Sequence, residues 1–205
     1  ITAATAMDAM THATEAFTCM AKNPLSDAYA TAAIKKISTS LLQVMDNPKD
    51  SDGRLELAQA STMAGIAFSN SMVGLVHALG HATGAICHLP HGLCMSLYLP
   101  YVLEYNLESI RAPLGELLLY LEGPDVYSAT PASRRGEASI SALRKLRDEL
   151  HKRCKLPRTL KETGSVEEHQ LDTIAEMAMD DGAMMFNPKE VSLEDARAVL
   201  KRAWA

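Results

Sequence analysis

Apolar residues recur at intervals of three and four along much of the 205-residue chain, which is the spacing of one face of an α-helix. Ala33, Ile34, Ile37 and Leu41 form one such stripe, and polar residues fill the positions between them. Pairs of asparagine and proline interrupt the pattern and indicate helix ends. In the first third of the chain the pattern predicts helices over residues 2–20, 28–44 and 55–67.

The segment 70–89 carries no Asp, Glu, Lys or Arg and contains three glycines. Its apolar spacing predicts a helix over about 72–82, followed by a loop as far as Pro90. Proline suits the first turn of a helix but disrupts the interior. We therefore expect the next helix to run from His91 to about Leu99 and to be halted or kinked at Pro100.

The second half of the chain is more polar, and its helical patterns are weaker. Prolines punctuate it, and no segment alternates apolar and polar residues over the length of a convincing strand. The sequence therefore predicts an all-α protein. The weaker helices are expected at about 112–122, 137–153, 167–178 and 192–203.

Composition supports the same fold class and limits the partners. Aromatic residues make up only 5% of the chain, whereas strands favour aromatic and β-branched residues. The formal net charge is −5. A mildly acidic chain gives no reason to expect binding to nucleic acid or to an anionic membrane, so neither is predicted as a partner.

The four cysteines are Cys19, Cys87, Cys94 and Cys154, and no two of them form a C-x-x-C pair. This spacing indicates neither a zinc ribbon nor a dense disulfide framework, so each is expected to be a small buried apolar side chain. No apolar run of about 20 residues is present, and no signal peptide is recognised. The expected location is the cytoplasm.

Histidines at helical spacing are the main candidates for chemistry. His77 and His81 lie four residues apart, so their side chains point to the same side of a helix, and Asp8 and His12 repeat this spacing. His91 begins the next predicted helix, and a hinge before it can bring it back towards His77. Because carboxylates and imidazoles are good ligands for Fe²⁺ and Zn²⁺, the two pairs and His91 can surround one cation.

Spacing alone leaves two interpretations of these histidines open. A histidine on an apolar helix is commonly a hydrogen-bonded core residue. Burying several imidazoles without partners is unfavourable, however, and a shared cation would remove that penalty. A metal site and a set of core histidines both remain possible at this point.

Two segments resemble the metal-ligand motifs of iron-containing (group III) alcohol dehydrogenases. The first is DAMTHATEAF at 8–17. The second is GLVHALGHATG at 74–84, followed by LPHG at 89–92. The distance between the motifs and the pair Asn187-Pro188 before a terminal helix also fit, and the likeness is strongest over residues 1–106. The resemblance implies the helical bundle of a dehydroquinate synthase-like C-terminal domain.

The resemblance also implies roles for individual residues. Asp8, His12, His77 and His91 match the four protein ligands of a divalent metal, usually Fe²⁺ and sometimes Zn²⁺. His81 matches the histidine that lies near the substrate and the nicotinamide and takes part in proton transfer, and Phe68 falls where relatives carry an aromatic wall of the substrate pocket. His88 has no matching role and is expected to lie at a pocket rim or to be structural.

The implied reaction is NAD(P)-linked oxidation of a primary alcohol or reduction of an aldehyde. The family's nucleotide-binding domain carries a Gly-Gly-Gly-Ser turn, and this chain contains neither that turn nor G-x-G-x-x-G. We therefore expect 1–205 to be one helical domain of a two-domain enzyme, without the N-terminal α/β nucleotide-binding domain. Alone it should bind metal but not turn over. A homo-oligomer is also expected.

The sequence departs from the pattern of this family near its C-terminal end. Some relatives carry a cysteine a few residues before the Asn-Pro pair, whereas 182–187 reads GAMMFN, so a proton path through that cysteine is lost or rerouted.

Two other functions are alternatives to the dehydrogenase domain. The first alternative is a stand-alone metal-binding module or a small metal-dependent hydrolase. The second is a helical interaction protein with core histidines, and the matched distance between the two motifs argues against it.

Overall fold

Helices are the only regular elements of the computed structural model, which describes residues 1–205. The all-α prediction is therefore confirmed. Short 3-10 turns join some of the helices. The α-helices are α1 (Thr2–Thr18), α2 (Pro24–Asp46), α3 (Ser51–Ser69), α4 (Leu75–Cys87), α5 (His91–Glu122), α6 (Pro124–Ala129), α7 (Arg135–Cys154), α8 (Leu171–Met179) and α9 (Leu193–Trp204).

The long helix α5 forms the centre of the fold and packs against α1, α2, α4, α7 and α9. The helix was predicted to be halted or kinked at Pro100, and the halt was wrong, because α5 continues through both Pro100 and Pro113. The segment predicted as a separate helix over 112–122 is its last part. Proline removes one backbone hydrogen bond. Here Leu97, Leu99 and other neighbours are completely buried, and this burial outweighs the loss.

Helix α4 begins later and ends later than the pattern predicted. It runs to Cys87, so the loop expected after residue 82 is wrong for most of its length. The Thr83 hydroxyl donates to the Leu79 carbonyl at 2.7 Å and lies 2.5 Å from the Tyr98 hydroxyl of α5. These buried contacts hold the second half of α4 as a helix against α5. His88 then ends the helix in the left-handed conformation, with a φ of 55°.

Helix α2 begins at Pro24, four residues before its predicted start, because Asn23 caps it. The Asn23 side chain accepts hydrogen bonds from the backbone of Leu25 and Ser26, and the Ser26 side chain accepts one from the Asn23 backbone. Pro24 occupies the first turn, where its missing N–H has no consequence. The Asn-Pro pair that indicated the end of one helix is thus the start of the next.

Three cysteines match the expectation of burial, and one does not. Cys19, Cys87 and Cys94 are buried free thiols, whereas Cys154 is exposed at the end of α7. Burial raises the pKa of the Cys94 thiol to about 12, which keeps it protonated and inert. None of the helices combines the length and the apolar character needed to cross a bilayer.

Candidate metal centre

Helix α1 presents Asp8 and His12 on adjacent turns of one face. Its other positions are fixed in the core, since Met7, Met10 and Ala13 are almost completely buried. The His12 Nδ1 atom lies 3.8 Å from the Asp8 carboxylate. A rigid, well-packed helix therefore holds both side chains in one place, as their spacing of four residues predicted.

Helix α5 brings His91 to the same place because its first turn lies directly on α1. A Cβ atom at Gly92 would come within 2.6 Å of the Ala4 carbonyl oxygen and 3.2 Å of the Asp8 Cβ. Only glycine allows so close an approach without a shift of backbone. As a result His91 Nε2 lies 3.2 Å from the Asp8 carboxylate.

Helix α4 completes the cluster with His77, which is buried between the other two helices. Its ring centroid lies 4.5 Å from that of His12 and 5.5 Å from that of His91. Asp8, His12, His77 and His91 each offer one ligand atom, and these atoms all lie within 4.8 Å of one another. We call these four residues the ligand cluster. The structure thus brings together all four residues that the sequence selected.

Two atoms of the ligand cluster have no hydrogen-bond partner in the protein and suit coordination to a cation. The Asp8 Oδ1 and His77 Nε2 atoms are buried and have no hydrogen-bond partner. The contact of Asp8 Oδ1 with His91 Nε2 is an ion-pair contact of 3.2 Å. Buried polar atoms without a partner are rare in folded proteins. One divalent cation coordinated by three imidazoles and a carboxylate would satisfy both atoms, and this donor set suits Fe²⁺ or Zn²⁺.

The electrostatics of the ligand cluster favour the protonation states that bind cations. Burial, together with the neighbouring His77, lowers the pKa of His12 to about 4, so its imidazole is neutral at pH 7. Burial alone would raise the pKa of Asp8, but its contact with His91 and the nearby imidazoles outweigh burial and lower it. Contact with Asp8 raises the pKa of His91. A metal would displace any proton on His91.

Glu15 is a member of this centre to which the sequence assigned no role. Its Oε2 atom lies 2.5 Å from His77 Nδ1, and its Oε1 atom accepts a hydrogen bond of 2.8 Å from the Val76 backbone. Glu15 and His77 are both buried. The signals in the sequence were the position of Glu15, one turn after His12 on the same helix, and its place inside the first motif at 8–17. Its partner His77 is 62 residues away along the chain.

His81 lies beside the ligand cluster rather than within it. Its side chain is 46% exposed, and its ring stacks on that of His91 with centroids 5.3 Å apart. His81 Nδ1 lies 2.8 Å from the carboxylate of Asp181, whose other oxygen accepts a hydrogen bond from the backbone of Ala183. Asp181 was not predicted from the sequence. This arrangement holds the His81 ring at the open side of the ligand cluster.

Phe68 contacts the cluster, and the other histidines do not belong to it. The Phe68 ring stacks on His12, with centroids 4.3 Å apart and planes 19° apart. His88 is exposed at the end of α4, and His169 is exposed in a 3-10 turn. His151 Nδ1 lies 2.9 Å from the Leu156 carbonyl oxygen, so this ring helps to end α7. Phe68 therefore forms one wall beside the candidate metal position.

Comparisons with known proteins agree with this fold. The profile of the Fe-containing alcohol dehydrogenase family, C-terminal, matches residues 2–204. The chain therefore belongs to the iron-containing alcohol dehydrogenase family, and its all-α bundle is the C-terminal domain of that family. The resemblance noted in the sequence is thus confirmed.

Individual relatives show the same likeness at moderate identity. Alcohol dehydrogenase 4 of Saccharomyces cerevisiae is 36% identical over 100% of this chain and 50% of its own length. The NADPH-dependent butanol dehydrogenase of Clostridium saccharobutylicum is 31% identical over 98% of this chain and 50% of its own. A crystal structure of a 1,3-propanediol oxidoreductase superposes with a TM-score of 0.92, at 32% identity, over 98% of this chain and 51% of that one. The chain spans about half the length of the curated relatives it matches.

Proposed function

We propose that this chain binds one divalent cation, Fe²⁺ or Zn²⁺, through Asp8, His12, His77 and His91. The cation and part of the substrate pocket would serve the NAD(P)-linked oxidation of a primary alcohol or the reduction of an aldehyde. The observation that carries the proposal is the convergence of four ligand atoms within 4.8 Å of one another. The unpartnered atoms Asp8 Oδ1 and His77 Nε2 support it. The names of the relatives, which include alcohol, butanol and 1,3-propanediol dehydrogenases, support the reaction class.

The residues around the cluster suit the requirements of this reaction. Alcohol oxidation removes a hydride and a proton, and a bound cation supplies Lewis-acid stabilisation of the negative charge that develops on oxygen. We assign acceptance of the proton to His81, and the contact between its Nδ1 and Asp181, which leaves Nε2 free, supports this role. Because the His81 ring is about half exposed, it can pass the proton on to solvent. Phe68 would form an apolar wall for the substrate carbon chain.

Hydride transfer requires the nicotinamide, and the proposal places most of its binding outside these 205 residues. His81 is the only residue of the chain that we assign near the nicotinamide. An α/β nucleotide-binding domain of the family would hold the rest of NAD(P), so these residues alone are expected not to turn over. Location in the cytoplasm and assembly into a homo-oligomer stay predictions.

Metal analysis of matched variants tests the proposal. The protein should be purified anaerobically without a metal-affinity column, and its iron and zinc measured by mass spectrometry. The wild-type protein should carry about one equivalent of metal, as a single site of this donor set implies. His77→Ala should lose most of it, because a buried ligand is removed, whereas His88→Ala should keep it. Equal occupancy in the two variants would overturn the ligand assignment.

Activity is tested separately from metal binding. Formation of reduced nicotinamide should be followed with a primary alcohol, NAD⁺ or NADP⁺, and either Fe²⁺ or Zn²⁺. The 205 residues alone should give no turnover, and fusion to a nucleotide-binding domain of the family should give turnover. Hydride transfer by the 205 residues alone would show that the proposed division of roles is wrong.

A further inference from the structure

We infer that Glu15 is a positioning residue that fixes the tautomer of His77, so that His77 Nε2 is the atom free to bind metal. The inference rests on the metal site proposed above. It concerns a residue that does not itself belong to the ligand cluster. Three observations carry it. The Glu15 carboxylate makes two hydrogen bonds, Glu15 and His77 are both buried, and the His77 Nε2 atom is buried without a partner.

The two oxygens of Glu15 have different and fixed partners. Oε1 accepts from the Val76 backbone N–H, which is always a donor. Oε2 faces His77 Nδ1 at 2.5 Å, and an ionised carboxylate can only accept. The proton of a neutral His77 must therefore sit on Nδ1. His77 Nε2 then carries the lone pair, and this is the buried atom without a partner in the cluster.

The surroundings of the Glu15 carboxylate shield both of its contacts from solvent. Only 6% of its side chain and 3% of the His77 side chain are exposed, so solvent does not compete for either group. The carboxylate enters the first turn of α4 beside Gly74, where a Cβ atom would lie 3.3 Å from Glu15 Oε1. Metal-bound histidines commonly donate their second ring nitrogen to a carboxylate in this way.

A merely structural role for Glu15 makes a different prediction. Gly74 has no side chain to cap α4, so the bond from Val76 to Glu15 also satisfies a free N–H at the start of this helix. If capping were the whole role, the variant that keeps the cap would bind metal normally. Glu15→Gln and Glu15→Ala separate the two roles.

Glu15→Gln keeps the cap but reverses the tautomer. The glutamine oxygen must face the Val76 N–H, which leaves its NH₂ group facing His77 Nδ1. His77 Nδ1 must then accept, so the ring proton moves to Nε2 and points into the ligand cluster. Glu15→Ala removes the cap but leaves His77 free to adopt either tautomer. If Glu15 positions the tautomer of His77, the glutamine variant should therefore bind metal more weakly than the alanine variant.

The experiment combines histidine NMR with Zn²⁺ titration of the protein. In the metal-free wild type, nitrogen–proton correlation of the His77 ring should show the proton on Nδ1, and in Glu15→Gln it should show the proton on Nε2. The dissociation constant for Zn²⁺ should rise about 100-fold in Glu15→Gln and about 10-fold in Glu15→Ala, the range seen for partners of metal ligands. Thermal stability should fall in the opposite order, with alanine the less stable.

Controls separate failure of this inference from failure of the proposed function. Glu104→Gln makes the same chemical change at a carboxylate that pairs with Arg144 and Arg202, and it should leave Zn²⁺ affinity unchanged. Wild-type protein that binds no Zn²⁺ would overturn the metal site itself. Wild-type protein that binds Zn²⁺, together with a Glu15→Gln variant that binds equally well or keeps the proton on Nδ1, would overturn the role of Glu15 alone. The NMR result decides this even if the alanine variant does not fold.

Discussion

Gly92 shows at the scale of a single residue how the ligand cluster depends on the absence of a side chain. Gly92→Ala would place a Cβ atom 2.6 Å from the Ala4 carbonyl oxygen. The first turn of α5 would have to move away from α1 and would carry His91 with it. We expect a loss of about 1–3 kcal/mol in the free energy of unfolding, as for other overpacked sites, and weaker metal binding.

Gly65→Ala in α3 is the matched control for this prediction. A Cβ atom at Gly65 meets nothing within 4 Å, and the residue lies inside a helix. Alanine should there raise the free energy of unfolding by roughly 0.5–1 kcal/mol, since it restricts the unfolded chain. Urea unfolding measures both variants. A Gly92→Ala protein as stable as wild type would show that the helix contact is looser than described.

Individual residues also differ in how far the sequence could predict them. Asp8 and His12 share a helix face by simple periodicity, and so do His77 and His81, so their grouping needed no tertiary information. The partners Glu15 and Asp181 could not be found in this way. Their histidines lie 62 and 100 residues away along the chain, and only folding brings each pair together.

At the scale of elements, α4 depends on other segments for the start of the helix. Its N-cap residue Gly74 offers no side chain, and the Leu75 N–H is satisfied by Asn187, from the segment before α9. The Asn187 side chain also exchanges two hydrogen bonds with that of Asn106 in α5, each 2.9 Å long. One buried amide thus connects the start of α4 to the central helix.

Asn187→Ala is therefore predicted to destabilise the protein strongly. It leaves the Leu75 N–H and the buried Asn106 amide without partners, and each such group costs about 1–3 kcal/mol. Asn23→Ala is the comparison, because it removes a helix cap from α2 and should cost about 1 kcal/mol. Denaturant unfolding of both variants checks the order. A smaller loss for Asn187→Ala than for Asn23→Ala would contradict the role given to this amide.

Helix α5 shows where prediction of elements from sequence fails. Pro100 is an ordinary sign of a helix end or kink, and the sequence predicted separate helices over 91–99 and 112–122 where the structure has one continuous helix. The local preference of proline is worth about 3 kcal/mol against a helix interior. Burial of α5 on several sides at once exceeds this, and the extent of that burial is a property of the packed fold, not of the local sequence.

At the scale of the whole molecule, the ligand cluster makes stability depend on pH. The pKa of His12 falls from an ordinary 6.5 to about 4 because the folded protein buries this imidazole. Between these two values the unfolded chain binds a proton that the folded protein does not bind. The metal-free protein should therefore lose stability as the pH falls from about 6.5 to 4. The loss due to His12 is at most about 3 kcal/mol, at about 1.4 kcal/mol per pKa unit.

The comparison between wild type and His12→Gln isolates this effect. The pKa of His91 is raised by Asp8, so His91 contributes stability at low pH that is lost as the pH rises, the opposite sign to His12. The free energy of unfolding of each protein is measured against pH with chelator present. The difference between the two plots removes contributions common to both proteins. The wild type should lose more stability than the variant over this range. Parallel curves would show that the folded protein takes up a proton on His12 as readily as the unfolded chain does.

The sequence by itself determined the helical class, the family and the grouping of Asp8 with His12 and of His77 with His81, because these depend on composition, motifs and spacing within one helix. Only the tertiary structure decided where α4 begins and where α4 and α5 end, whereas the start of α5 at His91 was predicted correctly. It alone showed the close contact at Gly92 that brings His91, already selected from the sequence, to the cluster, and it alone showed that Glu15 and Asp181 hold two of the histidines. The physical reason is that hydrogen bonds and burial between distant segments outweigh local preferences once the helices are packed together.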